Sequence, residues 1–361
     1  MNKRLAYMDS LRGLAVILMV QQHLTAWLWN MKWTPFHLIF TKHQVISGIH
    51  FAGCLAAPLF LILAGAGASM MHESGKKTPE IIKRGIAIIL CGYLLNLITP
   101  NWFSPGSWYV LHTIGVSMIL SPLLLRLTNS RLALLLLTTI LLAALLQTWL
   151  NTALSQSNYD MNNISQPGGI ARLMFVEGHF PLFPWLGFFM AGIIAKRLAN
   201  SHNHKTILYA AASCIAISII LCSLYRHGYF FVTGGVLFRI FIPLRHFYPP
   251  LPVFIFFILG IALFLFFIFA KYGSLFTGTC ALSIMLKATG RSSLSWFIIH
   301  VFIFNQLSWL CGFYMTFSGA EAFLIISLFI AAMLCLSVIW EKYNFKYGFE
   351  WIIRRMAAIK A

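Results

Sequence analysis

The chain has 361 residues, of which 60% are hydrophobic and only 9% charged, and its mean hydropathy is +0.82. Such a composition excludes a soluble globular domain and indicates a polytopic membrane protein. The formal net charge of +18 does not point to nucleic acid, because the basic residues fall in short clusters between apolar runs and make no continuous patch.

The first element starts with a charged head (Arg4, Asp9, Arg12), enters an apolar run from Leu14 to Val20 and ends on Gln21, Gln22 and His23. On a helix Arg12 and His23 share a face and lie roughly 16 Å apart along the axis. An ionisable group in lipid is costly, so a histidine aligned with a boundary arginine is by default a functional hypothesis. The alternative is that Arg12 only anchors the helix end by snorkelling. The segment lacks a convincing small-residue cleavage site and is expected to be retained.

Apolar runs follow near residues 48–71, 85–99, 108–125, 132–150, 180–198, 206–224, 250–271, 293–312 and 320–340. With 11–29, these predict an all-α chain of about ten transmembrane helices. We expect one integral-membrane domain over residues 1–361. All seven cysteines fall in or beside apolar runs and no C-x-x-C pair occurs, so neither a disulfide framework nor a metal site is expected.

Twenty of the 26 lysines and arginines fall on the N-terminal head and alternate connections, which predicts cytoplasmic N- and C-termini in a plasma (inner) membrane. Trp27, Trp29, Trp102, Trp108, Trp149, Trp185 and Trp309 lie at the predicted outer ends, as an interfacial belt would. The outer loops near 30–47, 151–179 and 225–249 carry His43, then Arg172, Glu177 and His179, then Arg239. The last of these reads as an amphipathic helix at the membrane surface. No internal repeat is evident.

Several stretches together resemble a known superfamily: MDSLRGLAVILMVQQH, AAPLFLILAGAGASM, GHFPLFPWLGFFMAG, GRSSLSWFIIH and YGFEWIIRR. The chain is similar to the transmembrane acyltransferases, which include the acyltransferase-3 enzymes and the heparan-α-glucosaminide N-acetyltransferase-like proteins, and it leans toward the latter branch. The resemblance implies transfer of an acyl group, usually acetyl, from cytoplasmic acyl-CoA to a hydroxyl or amine of a glycan or other envelope acceptor on the far side. His23 matches the histidine that closes the arginine-to-histidine motif of the acyltransferase-3 branch. His43, shortly before Pro58-x-Phe60, resembles the placing of the active histidine in animal heparan-α-glucosaminide enzymes. The resemblance leaves open which histidine leads, and whether the acyl group passes through a covalent acyl-enzyme.

The residues fit that chemistry. Neutral imidazole can serve near pH 7 as base or as acyl carrier, so His23 and His43 are the catalytic candidates. Arg12 and the cluster Lys76, Lys77, Lys83 and Arg84 are candidates for the phosphates of acetyl-CoA. Asp9 is spaced to pair with Arg12 on one helix, either to orient it or as a plain helix-start acid. Glu177 and His179 could contact an acceptor or orient a catalytic histidine. His112 and His300 read either as tunnel-lining residues or as packed histidines bonded to a neighbouring helix. Gly13, Gly65 and Gly67 would admit a helix or a ligand. A secondary transporter or exporter of an envelope precursor, with intramembrane His and Arg as a proton relay, is the rival class. A non-catalytic assembly partner is a third. The oligomeric state is not legible.

Overall fold

The computed structural model describes residues 5–30, 44–228, 234–243, 247–276 and 280–357, and the described residues form an all-helical polytopic architecture. His43 lies outside the described residues. Eight helical segments are long and apolar enough to cross a membrane: Gln44–Glu73, Thr78–Ile98, Asn129–Trp149, Leu182–Asn200, His204–Arg226, Pro252–Lys271, Ser293–Leu310 and Gly319–Lys342. The two other sequence-predicted spans are helical but weaker. Helix α1 (Ala6–Leu28) has 23 residues but is diluted by Arg12, Gln21, Gln22 and His23. Val110–Leu124 is apolar but has only 15 residues.

The chain forms two compact units. The first comprises Met1–Phe60, Leu97–Trp102 and Tyr272–Arg355. Within it α1 packs on α2 (Gln44–Ala52) and on the turn Gly53–Leu55 that follows, and further along the chain it meets three more helices. These are α11 (Ala281–Arg291), α12 (Ser293–Val301) and α13 (Gly319–Lys342). The carbonyls at the end of α1 would be left without intrahelical donors, a cost that any buried helix end must meet. Here Met315 and Phe317 donate backbone N–H groups to the carbonyls of Trp27 and Leu28, at 2.8 and 3.0 Å.

Glycines set the closest contact in this unit. A Cβ on Gly13 would sit 2.1 Å from the carbonyl oxygen of Leu286, and one on Gly290 would sit 1.9 Å from that of Asp9. The α1–α11 crossing is therefore backbone against backbone, with no room for a methyl group. At the start of α12, the Glu350 carboxylate of helix α14 (Phe349–Ala357) accepts the backbone N–H groups of Leu294 and Ser295. That satisfies donors a helix start leaves open, so Glu350 acts as a cap for α12.

The second unit comprises Leu61–Asn96, Phe103–Lys271 and Met356–Ala361. It holds most of α3 (Ala56–Glu73) and of α4 (Thr78–Ile98), with α5 (Val110–Leu124), α6 (Asn129–Trp149), α7 (Leu182–Asn200), α8 (His204–Arg226), α9 (Gly235–Phe241) and α10 (Pro252–Lys271). Gly65 on α3 meets α7: a Cβ there would lie 1.9 Å from the Phe189 carbonyl oxygen, whereas one on Gly67 would meet nothing within 4 Å. Among its described residues the 225–249 loop forms the short helix α9. Its Arg239 is turned into the protein, where it donates to the Thr152 carbonyl, rather than out toward lipid headgroups. The tryptophan belt needs a similar correction. Trp27, Trp29, Trp108 and Trp185 are buried in the protein, and of the seven only Trp149 and Trp309 are largely exposed.

Candidate active site

Of the expected site residues, the structure brings His23 and His300 into direct contact. Nδ1 of His23 lies 2.9 Å from Nε2 of His300, and Nδ1 of His300 lies 2.8 Å from the backbone carbonyl oxygen of Trp296, one turn earlier on α12. The rings are nearly parallel, 9° apart, with centroids separated by 5.2 Å. Aromatic side chains surround the pair. Trp27 has its ring centroid 5.0 Å from that of His23, and Phe297 has its own at 6.4 Å. Trp27 in turn meets Trp102 edge to face. His300 is fully buried, and His23 keeps intermediate exposure. Trp296 is fixed by a 2.8 Å hydrogen bond from its indole N–H to Ser337 on α13, so the carbonyl that anchors His300 sits on a held residue.

Two residues past His300 the α-helical pattern widens into a π-helical stretch, Phe302–Leu307. Such widened turns are rare and recur at functional sites. A second one, Leu173–Glu177, runs directly into Glu177 in the other unit.

At the opposite end of α1, Asp9 is buried and accepts from two arginines. Arg12 reaches it at 3.3 Å and Arg291 at 3.0 Å. Arg291 also pairs with Glu341. Burial by itself would lower the Arg291 guanidinium, but the hydrogen bonds and charges of Asp9 and Glu341 outweigh it and raise it above its ordinary value. The pairing expected from the Asp9 to Arg12 spacing is made. Arg291, which sequence reading did not select as a site residue, completes it from 282 positions away.

The remaining expected residues lie in the second unit. Lys76 pairs with Glu80 at 2.7 Å, and Lys77, Lys83 and Arg84 are exposed. Glu177 is buried and bound by Arg172 through Nε at 2.5 Å and Nη2 at 2.7 Å, with Thr152 donating its hydroxyl as well. Burial lowers the Arg239 guanidinium, and the nearby Glu177 charge works against that shift. His179 holds Asn158 Oδ1 at 2.9 Å through Nε2, and burial pushes its pKa down to about 4, so the ring is neutral at physiological pH. His112 differs from the expectation of a bond to a neighbouring helix. Its Nδ1 accepts the Tyr109 backbone N–H at the start of its own helix, at 3.3 Å, and its Nε2 is buried without a partner. For His300 a bond to a neighbouring helix is present, and its partner is His23.

The arrangement thus offers an imidazole of intermediate exposure, backed by a second imidazole that is itself anchored to a carbonyl. That is the geometry of a supported general base. Among the described residues no cluster of metal ligands occurs. A comparison with curated proteins finds no match. Residues 4–231, well over half of the chain, match the family described as heparan-alpha-glucosaminide N-acetyltransferase, catalytic, and the protein belongs to that family of transmembrane acetyltransferases.

Proposed function

We propose that the protein moves an acetyl group from cytoplasmic acetyl-CoA to a hydroxyl or amine of a glycan or other envelope acceptor across the membrane, with His23 as general base. The single observation that carries this reading is the His23 to His300 contact at 2.9 Å, near the far end of a helix whose other end carries Arg12. The acceptor O–H or N–H loses its proton to His23 as its heteroatom attacks the thioester carbonyl. The new bond to the acyl carbon forms and the C–S bond breaks. The departing thiolate takes the proton back from the imidazolium, so base and charge are restored in one cycle. The donor phosphates fall to Lys76, Lys77, Lys83 and Arg84. Arg12, which shares Asp9 with Arg291, is a further candidate for a donor phosphate and could take one by exchanging that partner. Glu177 and His179 are proposed to shape the acceptor side. The whole of residues 1–361 acts as one catalytic domain in this reading, with both termini in the cytoplasm and the acceptor on the outer face of the inner membrane.

The test uses purified protein, radiolabelled acetyl-CoA and a glucosamine-terminated oligosaccharide, scoring both thiol release and labelled product. His23→Ala should keep a normal size-exclusion profile and lose at least the roughly hundredfold rate that a positioned base supplies. His43→Ala should match that loss under an animal-type mechanism, and only weaken acceptor use under the acyltransferase-3 type. Full turnover in His23→Ala would sink His23 as the base, and full turnover in both variants would sink the histidine-based transfer altogether.

A further inference from the structure

We infer that His300 is a positioning residue that sets which nitrogen of His23 carries the proton, and thereby makes Nε2 of His23 the atom that takes the acceptor's proton. The inference rests on the acetyl-transfer reading, and it follows from donor and acceptor bookkeeping along the contact chain. The Trp296 carbonyl oxygen can only accept, so Nδ1 of His300, 2.8 Å away, holds a proton. A neutral imidazole protonated on Nδ1 presents a lone pair on Nε2. That lone pair faces Nδ1 of His23 at 2.9 Å, which must then be the donor. Neutral His23 is left with its own lone pair on Nε2, and this nitrogen abstracts the proton in the transfer step.

The same contact acts on the charged state. When Nε2 of His23 takes a proton the ring becomes an imidazolium, and its Nδ1–H then donates from a cation, a stronger bond than the neutral one. His300 therefore favours the transition state over the ground state, which is the condition for a contact to raise kcat. Among the described residues, rings that border the pair are those of Trp27 on α1 and Phe297 on α12, with Trp102 behind Trp27, and none of these three titrates in the neutral range. Neither histidine can form the chain alone, since their positions differ by 277 residues and only the packing of α12 on α1 brings them together.

Two readouts test this. Wild-type protein uniformly labelled with 15N-histidine, studied at pH 8, should show His23 protonated on Nδ1 and bare on Nε2, its signal being identified by its absence from His23→Ala. In His300→Ala that pattern should be lost, kcat should fall roughly hundredfold with little change in KM, and the acid limb of the rate profile should move to lower pH, because the imidazolium has lost its acceptor. His300→Gln, whose carboxamide can accept from His23 and donate to Trp296, should recover most of the rate and the wild-type pattern. A wild-type His23 protonated on Nε2 would overturn the inference, and so would a Gln variant as slow as the Ala variant. Wild-type protein that shows the expected tautomer yet transfers no acetyl group would instead count against the proposed function.

Discussion

At the scale of single residues, the site depends on polar groups placed where lipid or protein excludes water, and each then needs a named partner. His179 illustrates the cost. Its pKa falls from 6.5 to about 4 on burial, while the unfolded chain titrates at the ordinary value. Between those two values the unfolded state binds the proton and the folded state does not, so stability present above pH 6.5 is lost as pH drops toward 4. The loss is on the order of 3 kcal/mol over the window. Thermal midpoints measured from pH 7.5 to 4.5 should fall more steeply for wild type than for His179→Asn; parallel curves would show that His179 takes up its proton while folded. Local spacing made one of these partnerships legible. Asp9 and Arg12 stand three apart on one helix, and the sequence alone suggests their pair. The matching of His23 with His300, and of Asp9 with Arg291, is set by helix packing, and nothing in the local pattern of either segment encodes it.

At the scale of elements, the glycines separate into those that make a crossing and those that do not. Gly13→Ala forces a methyl group against the Leu286 carbonyl, and α1 carries both Asp9 and His23. Overpacking of this kind costs about 1–3 kcal/mol, and here it would also shift His23 relative to α12. Gly67→Ala, with nothing within 4 Å of the new Cβ, should leave melting temperature and turnover near wild type. Equal effects of the two substitutions, measured by scanning fluorimetry and the transfer assay, would mean that close approach does not set this crossing. The sequence offered Gly13, Gly65 and Gly67 as equivalents, because hydropathy carries no information on which face of a helix meets a neighbour. The same gap explains the tryptophans. Their positions near helix ends were legible, but Trp27 and Trp185 face other side chains rather than the membrane interface.

At the scale of the whole molecule, apolar run length proved a good guide to helices and a poorer guide to how apolar each would be. Ten expected spans became eight strong ones plus α1 and α5, and the two weaker helices carry His23 and His112. In α1 the residues Arg12, Gln21, Gln22 and His23 dilute the hydropathy that reveals a span, whereas α5 is apolar and falls short in length. The orientation rests on the twenty-to-six distribution of basic residues. In a background without native cysteines, an impermeant thiol reagent applied to intact cells should label a cysteine at Ser157 and spare those at Ser74 and Ser201, all three positions being exposed to solvent. Labelling at Ser74 with none at Ser157 would invert the orientation.

The chain of imidazoles described above also has an end, and that end is a peptide carbonyl. A wire that carries protons across a membrane needs a group at each stop that can both take up a proton and release another onward. The Trp296 oxygen can hold the His300 proton in place but has nothing to hand on. At that end the path is a cul-de-sac, so a proton passed from His23 to His300 must return by way of His23. Onward flow past the Trp296 carbonyl is closed off, which fits the proposed base that lends a proton and reclaims it, and does not fit a relay that would run out through that end of the pair.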